Sequence, residues 1–129
     1  MPEGVPADVR TFLAGHVDSI EQLEILLLLH QNPETEWTAE QTAGALYGNP
    51  ASAARRLQRL HADGLLAQGG GDDPAYRYAP RTPALAESVE RLAHTYRERR
   101  VAVTTLIASR PMDNVRAFSE AFRLGRRED

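Results

Sequence analysis

Four polar residues near the middle of the chain are spaced to lie on one side of a helix. With a period of 3.6 residues, residues 50–62 divide into a polar side and a packing side. The polar side holds Ser52, Arg55, Arg56 and Arg59. The packing side holds Ala53, Leu57, Leu60 and His61. Guanidinium groups bind phosphates and donate two hydrogen bonds to guanine O6 and N7, so the polar side predicts a DNA-reading helix. A face of solvated arginines is the alternative interpretation.

Local signals give this helix a start and an end. Asn49 has the side chain of an N-cap, and Pro50 suits a first helical position because it has no N–H to satisfy. Gly64 tolerates the left-handed conformation that ends many helices. We therefore predict a recognition helix over about 50–62, with Asn49 among its DNA contacts.

A shorter helix is predicted before it. Thr38 and Gln41 have the spacing of a capping box, which predicts a helix over about 39–46. Gly48 and Pro50 then prevent its continuation, because glycine tolerates positive φ and proline disfavours helical geometry at the residue before it. Two short helices joined by a tight turn are typical of a helix-turn-helix.

Two strands are predicted next, at Leu65–Gln68 and Ala75–Ala79, joined by a turn-rich run over 69–74. This hairpin would form a wing, and alternation along its second strand points Arg77 away from the flanking tyrosines. Arg77 and Arg81 are thus predicted to reach the DNA backbone or minor groove. The acidic tip argues against deep insertion, and a flexible connector is the alternative interpretation of the glycine run.

The run from Ala51 to Leu66 also has a familiar pattern. Together with the glycine-rich loop and the Tyr-Arg-Tyr that follow, it resembles winged-helix bacterial transcriptional regulators of the broad MarR/PadR type. The matching pattern, Leu-x-x-Leu-x-x-x-Gly-Leu-Leu, stands at Leu57, Leu60, Gly64, Leu65 and Leu66. The resemblance covers about a third of the chain. It implies a homodimer with residues 50–62 in the major groove, and it implies DNA contact by Ser52, Arg55, Arg56, Arg59 and Arg77. Winged helices also bind proteins, so this fold does not fix the function.

The N-terminal part is predicted to supply supporting helices. A short helix over about 6–14 precedes a second helix, for which Ser19 and Gln22 have capping-box spacing. That second helix is apolar almost all round over 20–29, so it must be buried, against this chain or a second subunit. Trp37 is predicted to form a short first strand.

A long helix is predicted to follow the wing, from Ala84 to about Ser109. It would span about 39 Å, which is too long for one small domain to cover. Its apolar residues have the 4-3 spacing of a coiled-coil-like dimer seam, interrupted at Arg99. The predicted dimer residues are Leu85, Val89, Leu92, Tyr96, Val103 and Leu106. Packing within one chain is the alternative, and a last helix is predicted from Asp113.

Composition favours one compact core and gives no support to catalysis. The chain has 129 residues, 42% of them apolar, with no cysteine and four scattered histidines. Metal-binding histidine spacing and a phosphate-binding glycine loop are both missing, so the sequence predicts no enzyme, no metal and no cofactor. Because no apolar run approaches about 18 residues, we predict no membrane span and expect a cytoplasmic protein.

Charge is unevenly distributed along the chain. Residues 1–49 hold eight acids against Arg10, whereas residues 50–81 hold five arginines against three aspartates. A basic patch on an acidic body fits specific DNA binding with weak non-specific affinity, because phosphate neutralisation supplies the non-specific part. The same acidity favours an alternative, a winged-helix module that binds another protein.

Together these patterns predict a mainly α-helical protein with a small β-hairpin wing and long C-terminal dimerisation helices. Residues 1–18 would form an arm, 19–81 the winged helix-turn-helix and 82–129 the dimerisation region. The predicted function is sequence-specific transcriptional regulation by a homodimer on double-stranded DNA. The alternatives are a protein-interaction module and a ligand-responsive sensor.

Overall fold

The computed structural model describes residues 4–69 and 71–109. In chain order its elements are α1 (Ala7–His16), α2 (Ile20–Gln31), β1 (Trp37–Thr38), α3 (Ala39–Leu46), α4 (Pro50–Ala62), β2 (Leu66–Gly69), β3 (Ala75–Tyr78), α5 (Pro83–Glu98) and α6 (Arg100–Ala108). The predicted helix-turn-helix corresponds to α3 and α4, and the predicted wing to β2 and β3. The mainly helical fold class with a small hairpin is confirmed. The helix predicted from Asp113 lies outside the described residues.

Side-chain caps fix where α3 and α4 begin. The Thr38 hydroxyl accepts a hydrogen bond from the Gln41 N–H at 3.1 Å, and Gln41 Oε1 accepts one from the Thr38 N–H at 3.0 Å, as predicted. Asn49 Oδ1 accepts from the Ser52 N–H at 3.0 Å, and Pro50 occupies the first turn of α4. A side-chain cap is worth about 1 kcal/mol, which matters for a helix as short as α3.

The capping box predicted at the start of α2 is only half formed. Ser19 Oγ accepts from the Gln22 N–H at 3.0 Å, but the Gln22 side chain does not return the bond. Gln22 is instead fully buried, and neither its amide nitrogen nor its side-chain oxygen has a hydrogen-bond partner among the described residues. The packing of α2 against its neighbours therefore outweighs the local cap at this position.

The turn between α3 and α4 has an unexpected residue in the left-handed conformation. Tyr47 has φ 58° and ψ 39°, whereas Gly48 is not in the positive-φ region. The Gly48 N–H donates to the Ala43 carbonyl at 2.8 Å, which closes the end of α3. The predicted turn is confirmed, and its left-handed residue is Tyr47 rather than the glycine that tolerates positive φ. Gly64, at φ 86°, does take the left-handed conformation predicted after α4.

The three strands form an antiparallel sheet in the order β1-β3-β2. Trp37 pairs with Tyr76, which confirms the short first strand, and Leu66 pairs with Tyr78. Tyr76 is buried and Arg77 is exposed, as the predicted alternation requires. The sheet thus packs its tyrosines inward and leaves Arg77 on the open side of the wing.

All six helices contribute to one hydrophobic core. The leucine-rich helix α2 lies at its centre, where Leu23, Leu26 and Leu29 are completely buried. Its neighbours are α3, α4, β3 and α6 of the same chain. A single chain therefore satisfies the burial that the sequence demands of α2, without a second subunit.

The continuous helix predicted over 84–109 is wrong. Arg99 leaves helical geometry, at φ −134° and ψ 50°, and separates α5 from α6. As a result α5 packs against α1 while α6 contacts α2, so each buries apolar side chains within the chain. Val89, Leu92 and Val103, predicted at a dimer seam, have 0% exposure in this single chain. Neither α5 nor α6 is as long as the single helix of about 39 Å from which the dimer seam was predicted.

Candidate nucleic-acid interface

The recognition-helix candidate α4 has a buried side, an exposed stripe and a flank that faces α2. Its buried side consists of Ala53, Leu57 and Leu60. Its exposed stripe consists of Ala51, Arg55, Gln58 and Ala62. Ser52 and Arg56 lie on the flank and are partly buried beside the start of α2. The predicted polar side is therefore divided between two surfaces with different surroundings.

Arg56 joins α4 to the N-terminal end of α2. Its Nε donates to Glu21 Oε1 at 3.1 Å, and its Nη1 donates to Asp18 Oδ1 at 2.8 Å. The Ser52 hydroxyl also donates to Glu21 Oε1, at 2.6 Å. Only 27% of the Arg56 side chain is exposed, so much of this ion pair is shielded from water. Both Ser52 and Arg56 are therefore engaged in holding the helix.

Arg59 has similar partners one turn later. Its Nε donates to Asp63 Oδ2 at 3.1 Å and its Nη2 donates to the Gly15 carbonyl at 3.1 Å. Asp63 Oδ2 is also 2.9 Å from His16 Nδ1. We call this set of contacts the acid–arginine network; its members are His16, Asp18, Glu21, Ser52, Arg56, Arg59 and Asp63. The network satisfies two of the three arginines of α4 that were predicted to bind DNA.

Arg55 remains available on the exposed stripe. It is exposed and makes no hydrogen bond or ion pair within residues 4–69 and 71–109. Gln58, also exposed, lies beside it on the next turn, at the edge of an open cleft of about 170 Å³. The cleft is bounded by α3, α4 and the wing, and its lining includes Glu40, Asp73 and Tyr76. Gln58 was not predicted as a DNA contact from the sequence, although the helical period places it next to Arg55 on the same side of α4.

The remaining predicted DNA contacts lie at the two ends of α4. Asn49 is exposed at the helix start, where its Oδ1 is used as the cap. Arg77 is exposed on β3. Arg81 is exposed, its N–H donates to the Gly64 carbonyl at 2.7 Å, and its side chain lies over Gly64 at the end of α4. The structure thus places Asn49, Arg55, Arg77 and Arg81 on accessible surface.

Solved structures of winged helix-turn-helix proteins are similar to this chain. One is the homodimeric winged helix-turn-helix DNA-binding domain of Mb0332 from Mycobacterium bovis, a possible ArsR-family transcriptional regulator. It has a TM-score of 0.50 and 24% identity, over 69% of this chain and 81% of that one. A MepR variant from S. aureus bound to an oligodeoxyribonucleotide has a TM-score of 0.54 and 14% identity, over 91% and 86%. A mutant MarR from E. coli has a TM-score of 0.53 and 13% identity, over 89% and 82%.

The chain has a winged helix-turn-helix fold. The predicted resemblance to MarR-type winged-helix regulators is thereby confirmed at the level of the fold. No protein-family model and no curated protein matches the chain. In this winged-helix protein, no helix of the described part is long and apolar enough to cross a bilayer. Within the same part, no group of three or more histidine, cysteine, aspartate or glutamate residues is placed to hold a metal ion.

The predicted dimer residues of the winged-helix protein fall into two groups. Val89, Leu92 and Val103 belong to the core of the single chain. Leu85, Tyr96 and Leu106 are only partly buried against that core. Val101, at the start of α6, has 76% of its surface exposed. Any partner subunit can therefore contact the second group and Val101, but not the first group.

A small polar cluster links α2, β3 and α5. His30 Nε2 is 2.9 Å from Glu90 Oε2, and the His30 and Tyr78 rings meet edge to face at 5.1 Å between centroids. The Tyr78 hydroxyl is buried without a hydrogen-bond partner in the described part of the chain. Burial, with a smaller contribution from the Glu90 carboxylate, raises the pKa of Tyr78 to about 12.

Tyr78→Phe is expected to make the winged-helix protein less sensitive to alkaline pH. The ordinary pKa of tyrosine is 10.0, so the raised pKa of Tyr78 favours the folded state below about pH 10 and that contribution is lost between about pH 10 and 12. Phenylalanine keeps the ring but has no hydroxyl to ionise. Thermal unfolding at about pH 8 and about pH 11 should show a smaller decrease in Tm for Tyr78→Phe than for wild type. Tyr47→Phe, which removes an exposed hydroxyl, is the control, and equal decreases in all three proteins would contradict the assignment.

Proposed function

We propose that this protein is a sequence-specific DNA-binding transcriptional regulator that acts as a homodimer in the cytoplasm. In this proposal α4 enters the major groove and the wing follows the backbone or minor groove. The observation that carries it is the exposed stripe of α4, on which Arg55 lies unpaired beside Gln58. Arginine can read guanine O6 and N7, and glutamine can read adenine N6 and N7, each through two hydrogen bonds.

The acid–arginine network gives Arg56 and Arg59 a different role from the one predicted. Both are already bonded to carboxylates of the chain, so we assign them to positioning α4 rather than to reading bases. Ser52 belongs to the same network through Glu21. Asn49 keeps its amide N–H groups for a phosphate, because only its oxygen is used in the cap. Arg77 and Arg81 are proposed to contact the backbone, where they carry no sequence information.

A fluorescence anisotropy titration with duplex DNA from the protein's own promoter region tests the function. Run at two salt concentrations, it should show affinity that falls with salt, because arginine–phosphate contacts release counterions. An unrelated duplex of the same length should bind at least about a thousandfold more weakly. Arg10→Ala removes an exposed charge outside the proposed interface and should bind as wild type does. Equal, weak binding of both duplexes by wild-type protein would refute sequence-specific recognition.

A winged-helix module that binds another protein is the second candidate. Two observations favour it: Arg56 and Arg59 are paired within the chain, and the exposed acids Glu40 and Asp73 line the cleft beside α4. These carboxylates would repel phosphates at that edge. In the titration above, this candidate predicts a folded protein with no salt-dependent DNA binding.

The proposed dimer contact lies on the outer face of α5 and α6. Leu85, Tyr96 and Leu106 are partly exposed there, and Val101 is the most exposed large apolar side chain of α6. A group of exposed and partly exposed apolar residues, rather than a single one, is typical of a surface that a partner covers. In a two-fold symmetric dimer the same surface of both subunits forms the contact, so each of these side chains would be buried in both subunits.

Val101→Asp is expected to separate the dimer without unfolding the subunits. The side chain lies in the first turn of α6, where a carboxylate interacts favourably with the helix dipole, so the fold should tolerate it. In a dimer the same carboxylate would be desolvated on both subunits, which should raise the dissociation constant by at least about tenfold. Sedimentation or light scattering over a concentration series measures this. Thr105→Asp, at another exposed position of α6, is the control, and an unchanged dimer in Val101→Asp would remove Val101 from the interface.

A further inference from the structure

Tyr47, in the turn between α3 and α4, combines two properties that are rarely found together. It is the one non-glycine residue with positive φ among residues 4–69 and 71–109. A bulky side chain seldom takes that conformation, which asparagine and glycine adopt more readily. Its side chain is also 97% exposed, so no packing within the chain accounts for a tyrosine at this position.

The surface around Tyr47 is small and uncharged. Gly44, Ala45, Gly48 and Ala51 are all exposed, and a side chain added at Gly44 would meet nothing within 4 Å. No charged residue occurs from Gln41 to Ala54. We call this area the turn surface; it consists of Gly44, Ala45, Tyr47, Gly48 and Ala51.

Glu21 is an acid close to the turn surface, and it is paired through one of its two carboxylate oxygens. Glu21 Oε2 lies 3.8 Å from where a side chain at Gly48 would begin, and Glu21 Oε1 accepts hydrogen bonds from Ser52 and Arg56. The wing tip, by contrast, exposes Asp72 and Asp73. Of these two surfaces beside α4, the turn surface contains no carboxylate of its own, and Glu40 lies one helical turn before it on α3, whereas the wing tip carries two carboxylates.

We propose that Tyr47 binds the sugar-phosphate backbone of the DNA duplex that α4 reads, with its hydroxyl donating to a phosphate oxygen and its ring lying against the sugar. This inference rests on the proposed function. The small residues around Tyr47 let the backbone approach closely, and the exposed stripe of α4 starts four residues further on, at Ala51. A protein partner is a poorer fit, because protein hot spots cluster in well-packed pockets and Tyr47 is the one large side chain of the turn surface. A hydrogen bond to a charged phosphate is also among the stronger ones.

Two substitutions separate this role from a structural one. Tyr47→Asn suits the left-handed conformation and removes no packing, so its Tm should be no lower than that of wild type. Its affinity for DNA should nevertheless fall about tenfold or more, the loss expected for one hydrogen bond to a charged group. Tyr47→Phe keeps the ring and should lose most of the same affinity. Neither should change the salt dependence or the base preference, because the hydroxyl is uncharged and phosphate contacts carry no sequence information.

The experiment is an anisotropy titration of the full chain on the duplex that wild-type protein enriches from a random-sequence pool. Arg55→Ala serves as the reference for a base contact. If Arg55→Ala weakens binding while Tyr47→Asn and Tyr47→Phe bind as wild type does, the Tyr47 proposal is overturned and the proposed function stands. If wild-type protein shows no salt-dependent binding to any duplex, both the Tyr47 proposal and the proposed function are refuted. Weaker binding by both Tyr47 variants, with unchanged Tm, supports the contact.

Discussion

Leu92→Asp is expected to unfold the subunit rather than to release folded monomers from a dimer. Leu92 is completely buried in α5, within the core that α1 and α2 complete. A carboxylate there has no described partner, and an uncompensated buried charge costs about 3–5 kcal/mol. That is a large part of the 5–15 kcal/mol, roughly, by which a domain is stable. Urea unfolding followed by circular dichroism should show little or no folded protein.

Ala84→Asp, in the exposed first turn of α5, is the matched control for Leu92→Asp and should remain folded. The comparison with Val101→Asp separates core from interface, because Val101→Asp is expected to be folded and monomeric. A Leu92→Asp protein that is folded and monomeric would instead return Leu92 to the dimer seam predicted from the sequence.

Arg56→Ala is expected to destabilise the protein without relaxing its base preference. Removing the guanidinium leaves Glu21 with only the Ser52 hydroxyl and Asp18 with only the Arg59 guanidinium at 3.7 Å, which weakens the link between α4 and α2. We expect a loss of about 1–3 kcal/mol in the free energy of unfolding, measured in urea. DNA affinity should fall only indirectly, because α4 is less well positioned in the variant. Arg55→Ala should do the opposite: stability within about 0.5 kcal/mol of wild type, and DNA affinity lower by about 1–3 kcal/mol.

A double-mutant cycle shows which carboxylate matters more for Arg56. Glu21 is 31% exposed and Asp18 is 50% exposed, so the Arg56–Glu21 pair is less screened by water. The coupling free energy of Arg56→Ala with Glu21→Ala should exceed that of Arg56→Ala with Asp18→Ala. Equal stability of Arg56→Ala and Arg55→Ala would show that the network does not hold α4.

The features that the sequence predicted well are those whose partners are close together in the chain. Thr38 and Gln41 cap α3 over three residues, and Asn49 caps α4 through the N–H of Ser52. The hairpin alternation around Arg77 is equally local. The 3.6-residue period also identified the buried side of α4, because burial of Leu57 and Leu60 depends only on which way the helix turns.

The features that could not be predicted from the sequence depend on residues far apart in the chain. Arg56 is 35 residues from Glu21 and 38 from Asp18, so no local pattern could show that its charge is already paired. The break at Arg99 has no proline or glycine to announce it, and the helices on either side of it pack against different partners, α5 against α1 and α6 against α2. Gln22 was misjudged for the same reason, since its burial is decided by the neighbours of α2.

The central claim is that Arg55 on the exposed stripe of α4 reads a base. Selection of duplexes from a random-sequence pool, with wild type, Arg55→Ala and Arg56→Ala in parallel, tests it most directly. Wild type and Arg56→Ala should enrich the same two half-sites. Arg55→Ala should enrich half-sites in which the preference at one base pair is relaxed. The free energy of discrimination lost at that base pair should be about 1–3 kcal/mol. No enrichment by wild-type protein, or an identical site for Arg55→Ala, would contradict the claim.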